Sequence, residues 1–272
     1  MSIQQLLLKS YGGNPIQATG GTKSTPGDGY VYHQFTSSGS FVVTAGAGEI
    51  KYVVIGGGGG GGSDMGGGGG AGAFNPGSAE IAGPLTYPIT IGAGGGTNAP
   101  DGPGISGGDT TMTIPTGTPV VAGGGGSGGN KGSTPGQPHP SPGSAPATAG
   151  SGGGVGLKSP YPAVIGGSGA LGNPGAYGGS FDYPAPAPPT GGYMSANSGG
   201  GGGGGSKGLA RGGTGGGGQG AASSFDEPAS RNASPGTANT GSGGGGGSWG
   251  SPPDRYAGGS GGPGTVLIRY EA

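Results

Sequence analysis

The chain has 272 residues, of which 84 are glycine and 26 proline, with 28% hydrophobic and 8% charged residues and a net charge of −1. An ordinary soluble domain holds about 7% Gly, about 5% Pro and about 25% charged residues, so the side chains that fill a conventional core are scarce here. Cysteine is absent, which excludes disulfides and thiolate metal sites, and the balanced charge gives no basic field for nucleic acid.

Three states suit such a composition: a collagen-like fibre, a flexible coil, or a fold held by backbone hydrogen bonds. Collagen needs Gly at every third position. Here glycine comes in blocks, uninterrupted at 56–62, 66–70, 199–205 and 243–247, which excludes it. Gly-rich coils are flexible, but solvated disordered chains carry high net charge. A near-neutral chain instead satisfies its peptide groups against one another.

In chain order, residues 3–8 form an apolar stretch too short for a signal peptide or a membrane span. Runs rich in β-branched and aromatic residues follow at 30–35, 40–44 and 49–55, separated by Gly, Ser and Ala. They read as a meander of antiparallel strands. Residues 85–91 read as another strand, with Pro88 moving it towards a sheet edge. Residues 109–114 and 119–122 are further candidates, and almost no apolar run then appears until 265–270. That last strand is expected to return and pair with the N-terminal ones. No window has helical periodicity.

Between the strands, glycine runs alternate with loops of Pro, Ser, Asn and aromatic residues at irregular spacing. The polyproline-II backbone points all its donors and acceptors outward, and without side chains such rods can pack and exchange hydrogen bonds. Each bond nets about 1 kcal/mol, while ordering a residue costs about 1–2 kcal/mol, so the rods need clamped ends. The expected fold is therefore mostly irregular and all-β: a polyglycine-II helix lattice under an antiparallel β-strand cap. The expected organisation is an attachment segment, 1–28, and a glycine-rich domain, 29–272. Within the latter the β cap spans 29–122 and 264–272, and rods and loops span 56–263.

Motifs with chemical content fail on context. Tyr52-Val53-Val54-Ile55 running into Gly56 mimics a dinucleotide-binding turn, but that turn needs a helix after the glycines. Here Ser63-Asp64-Met65 leads into five more glycines. There is no phosphate-binding G-K-[ST] loop. His33 reads as a surface or strand-pairing residue and His139 as a loop residue between two prolines; two histidines without cysteine support neither a metal site nor a nucleophilic triad. Carboxylates are isolated apart from Asp226-Glu227. No catalytic residue, metal or cofactor is expected, and the chain does not read as an enzyme.

The loops carry what chemistry remains. Tyr177, Phe181, Tyr183 and Tyr193 surround one Pro-rich stretch, and Trp249, Asp254, Arg255 and Tyr256 share another. Tyr and Trp among Ser, Gly and Asn combine rigid contact area with adaptable hydrogen bonding, the vocabulary of binding loops. The competing reading is that these rings seal the ends of the glycine rods from water.

Taken in order, Phe35-Thr36-Ser37-Ser38-Gly39-Ser40-Phe41, then Tyr52-Val53-Val54-Ile55 with its glycine run, resemble the glycine-rich domain of bacteriophage tail-fibre proteins. Tyr87-Pro88-Ile89-Thr90-Ile91-Gly92-Ala93-Gly94-Gly95 and Gly264-Thr265-Val266-Leu267-Ile268-Arg269-Tyr270 continue the likeness. The tail-fibre tip adhesins of T-even-like phages are a related type, whose glycine runs form a polyglycine-II sandwich. The resemblance implies a virion protein, made in the host cytoplasm without a signal peptide, whose loops contact a host receptor (an outer-membrane protein or a surface glycan). It implies attachment to other tail proteins through the N-terminal segment, either as a trimer or on a trimeric fibre. The alternative function is a purely structural virion component, a fibre spacer or decoration protein.

Overall fold

A computed structural model describes residues 15–63, 66–98, 102–115, 117–130, 217–221, 233–248 and 257–272. Ten strands are present: β1 (Gln17–Thr19), β2 (Thr22–Ser24), β3 (Tyr30–Phe35), β4 (Gly39–Ala45), β5 (Ala47–Ile55), β6 (Phe74–Ala82), β7 (Leu85–Thr90), β8 (Thr110–Met112), β9 (Val120–Ala122) and β10 (Thr265–Glu271). They form two five-stranded sheets, ordered β1-β4-β7-β8-β9 and β2-β3-β10-β5-β6. Every pairing is antiparallel.

This β-sandwich-like arrangement, with no helix among the described residues, corrects the expected fold class of a mostly irregular polyglycine-II lattice under one strand cap. The meander is corrected too: β3 and β5 lie in one sheet and the intervening β4 in the other. The physical reason is burial. Val31, Phe35, Phe41 and Val43 all alternate with more exposed neighbours, and a simple hairpin would put them on one face with nothing opposite. Sending β4 to the other sheet sets Phe41 against His33, with ring centroids 5.1 Å apart, and against Tyr270, at 6.4 Å.

The core lies between the sheets. Phe41, Val43, Tyr87, Ile89 and Met112 come from one side, and Val31, Phe35, Ile50, Val54, Val266, Ile268 and Tyr270 from the other. Each such side chain contributes about 1.5–3 kcal/mol on burial. His33 belongs to this interior and is fully buried; of its two readings, surface or strand-pairing residue, the first is corrected, while the second matches its place opposite Ile268 and Lys23. Pro88 is likewise not on an edge strand, because β7 lies between β4 and β8. Its carbonyl accepts a 2.9 Å bond from the Thr113 amide, so its missing N–H faces the point where β8 has already ended.

The C-terminal strand does return to the N-terminal ones: β10 pairs with β3 on one side and with β5 on the other. Strands β1 and β2 join one sheet each, so both sheets draw on residues from before position 28. Between them Gly20 (φ +107°) and Gly21 (φ +61°) carry the chain from sheet to sheet. A Cβ at Gly20 would overlap the Ser40 carbonyl, and the left-handed backbone there also favours glycine.

Six strand ends open in one direction into glycine segments. β5, β7 and β9 run out into them, and β6, β8 and β10 are entered from them. Residues 56–63 form the buried centre of the resulting bundle. Their amides donate in rotation to three neighbours: Gly56, Gly59 and Gly62 to Ala73, Gly70 and Gly67; Gly57, Gly60 and Ser63 to Gly108, Ile105 and Gly102; Gly58 and Gly61 to Gly262 and Gly259. Partner numbers fall as donor numbers rise, so these three neighbours run antiparallel. The carbonyls of Gly57 and Gly60 accept from Gly125 and Gly128, that of Gly58 from Gly95, and those of Gly59 and Gly62 from Gly244 and Gly247. Those neighbours run parallel. The central segment thus has six partners, three on each side of its hydrogen-bonding balance.

Such close approach tolerates no side chain. A Cβ on Gly59, Gly60 or Gly61 would overlap the carbonyl oxygen of Gly126, Gly96 or Gly245 respectively. The clamp at the sheet end uses polar side chains. The Gly92 amide donates to the buried Thr110 hydroxyl at 3.0 Å, and the Gly124 amide donates to the Asp109 carboxylate at 2.9 Å. Asn75 donates to the Val121 carbonyl at 2.9 Å, tying β6 to β9 of the other sheet.

Candidate functional site

The glycine bundle has a sheet end and a far end. A threefold extended backbone rises about 3.1 Å per residue, which puts Ser63 about 25 Å beyond Ile55. At this far end the chain is tied together by short backbone bonds. Ser63 donates to Gly102 at 3.1 Å, Gly102 to Asn98 at 2.7 Å, Gly66 to Gly247 at 3.0 Å and Gly67 to Gly129 at 2.8 Å. Asn130, Ser248 and Ala257 close the same end. The described residues that flank 64–65, 99–101 and 249–256, and Asn130 before 131–216, all lie at this end. Segment 222–232 joins Ala221, bonded to Gly246, to Ala233, bonded to Ala257.

All eight residues singled out from the sequence, Tyr177, Phe181, Tyr183, Tyr193, Trp249, Asp254, Arg255 and Tyr256, lie outside the described residues, as does the glycine run 199–205. Among the described residues, the runs 56–62, 66–70 and 243–247 all take part in the bundle.

A second polar surface sits on the outer face of the β3-β10-β5 sheet, at the end remote from the bundle. Sequence reasoning did not reach it, since Asp28, Tyr30 and Tyr32 stand far along the chain from Arg269. Register brings Arg269 opposite Tyr32 on one side and opposite Lys51 on the other. The Tyr32 hydroxyl donates to the Asp28 carboxylate at 2.7 Å, and this bond holds the Asp28 carboxyl below its ordinary value. The same hydroxyl interacts with the Arg269 guanidinium, which keeps that group firmly charged. The guanidinium lies over the Tyr30 ring, 4.6 Å from its centroid, a cation–π contact. A groove of about 340 Å³ beside it is bordered by Pro15, Ile16, Glu49 and Lys51, among other residues.

The family model that matches this sequence is that of the glycine-rich domain, over residues 36–271. The chain belongs to the glycine-rich domain family. Compared with curated proteins, it has no match.

Proposed function

We propose that this chain is a virion tail-fibre protein, a distal adhesin that contacts a host-cell receptor through loops carried on the glycine bundle. One observation carries the reading: the long segments between the bundled glycines depart from the end about 25 Å away from the sheets. A rigid base that fixes the roots of loops lowers the ordering entropy lost when they dock. Sequence can vary in such loops without disturbing the backbone bonds beneath. The ordered motifs between Phe35 and Tyr270, which resemble phage tail-fibre domains, support the same reading. So does polarity, because Pro15, where the described chain begins, stands at the opposite pole.

The test is to change Tyr183, Tyr193 and Trp249 to Ser together and to measure adsorption of assembled particles to host cells. Adsorption should fall steeply while particle assembly stays normal. Unchanged adsorption with normal assembly would overturn the adhesin reading in favour of a purely structural virion component.

A further inference from the structure

The outer face of the β3-β10-β5-β6 sheet is banded by charge. Register sets Arg269 opposite Lys51, and Lys51 opposite Ser78. One step of two residues further from the bundle come Glu271 and Glu49, with Glu49 opposite Glu80 and Glu271 opposite Tyr30. One step nearer the bundle come Leu267 and Val53, opposite each other, then Pro76. On β10, β5 and β6 the face therefore reads as an acidic row, a basic row and an apolar row, flanked on β3 by Tyr30, Tyr32 and Gln34. Glu49, Lys51 and Glu271 are exposed, and Leu267 is 37% exposed.

Like charges directly opposite on neighbouring strands destabilise a sheet. Arg269 is met within the chain by Tyr30, Tyr32 and Asp28, and a partner outside the sheet would offset the cost left at Lys51 and at the Glu49–Glu80 pair. A two-fold axis lying in this face, parallel to the rows and midway between the acidic and basic ones, brings the face against a copy of itself with the rows exchanged. Glu49 then meets Lys51 of the second copy and Glu271 meets Arg269, and each pair occurs twice by symmetry. Strand β10 crosses over its own counterpart, as does β5.

We infer that this face is a self-association surface that pairs two copies of the chain through charge-complementary rows. Four strands spaced about 4.8 Å apart and three rows give roughly 400 Å² per partner, about half that of a standard stable interface and in the range of weak, transient contacts. The pairing is therefore weak in dilute solution and sensitive to salt, since exposed charges are screened over about 10 Å at 0.1 M ionic strength. It is independent of the adhesin reading, because it uses the pole remote from the loops.

The experiment is sedimentation velocity of the full chain over a concentration series, in about 0.05 M and about 1 M salt. In low salt the mass should rise with concentration from 24.8 kDa towards twice that value, and in high salt it should stay monomeric. Lys51→Glu and Glu49→Lys should each abolish the rise, and the double variant Glu49→Lys/Lys51→Glu should restore it. Both positions are exposed, so circular dichroism should match the parent chain in all three variants. A monomer throughout the low-salt series, a limiting mass other than the dimer, or association indifferent to both single reversals would each overturn the inference. Failure of this test would leave the adsorption experiment unaffected.

Discussion

The imidazole Nε2 of His33 lies 3.2 Å from the Tyr270 hydroxyl, with the two rings stacked at 5.7 Å between centroids. The other ring nitrogen, Nδ1, is 2.7 Å from the Gly20 carbonyl. A carbonyl can only accept, so Nδ1 carries the proton and Nε2 accepts from Tyr270. The Tyr270 hydroxyl is bonded in addition by the backbone of Ala18. Through this chain β3 and β10 of one sheet are joined to β1 of the other. It is a polar pin inside an apolar core, with every group satisfied.

The pin makes stability depend on pH. Burial, with a smaller contribution from the charge of Lys23, lowers the His33 pKa, and the Gly20 carbonyl opposes this. The unfolded chain therefore takes up the proton first as the solution is acidified. Stability is complete above the ordinary value of 6.5, declines as the pH falls below it, and levels once the folded-state pKa is passed. Thermal unfolding at about pH 7 and about pH 5 should show a lower midpoint in acid. His33→Gln should be less stable than the parent chain at both values and should flatten this difference. An equal acid sensitivity in the variant would assign it to other groups.

Gly60 is the most constrained kind of position in the bundle, since its amide bonds Ile105 and its would-be Cβ overlaps the Gly96 carbonyl. Gly60→Ala should cost about 3 kcal/mol or more in denaturant unfolding, because backbone on every side must move to admit one methyl group. Ser106→Ala, on a neighbouring segment but half-exposed, should change stability by less than about 0.5 kcal/mol. Comparable losses from both would mean that the bundle is loosely packed.

The buried Gly92 amide donates to the Thr110 hydroxyl, an acceptor that is itself fully buried. Thr110→Val keeps the volume and removes the acceptor. The expected loss is about 1–3 kcal/mol, the cost of a buried donor left without a partner. Amide hydrogen exchange should quicken at Gly92. Unaltered exchange there would show that the amide had found another acceptor.

β10 is the middle strand of its sheet, between β3 and β5. Deleting residues 264–272 should abolish the cooperative unfolding transition, since it removes Val266, Ile268 and Tyr270 from the core and leaves β3 and β5 each unpaired on one side, splitting the sheet in two. The milder Ile268→Ala should cost about 2–5 kcal/mol. A truncated chain that keeps its transition would place the core elsewhere.

Much of this protein is local and was legible. Val31, Phe35, Phe41, Val43, Ile50 and Val54 alternate at the period of a strand, and Thr265–Tyr270 is the last apolar run, so strands at both ends of the chain follow from pattern alone. The blocks of glycine announce backbones packed closer than any Cβ permits. Glycine, however, carries no side chain to say which neighbour it meets, so the rotation of bonds from Gly59 to Gly70, from Gly60 to Ile105 and from Gly61 to Gly259 had no trace in the sequence. The partition of strands was equally hidden. Periodicity reports which face of a strand is buried, and it is silent about whether β4 pairs beside β3 or crosses to face it. Only tertiary structure decided that, because Phe41 gains the His33 and Tyr270 rings as neighbours by crossing and would gain none by pairing. For the same reason the sequence left His33 open between a surface and a strand-pairing place, and the meeting of Arg269 with Tyr32 and Lys51 came from register between strands more than two hundred residues apart.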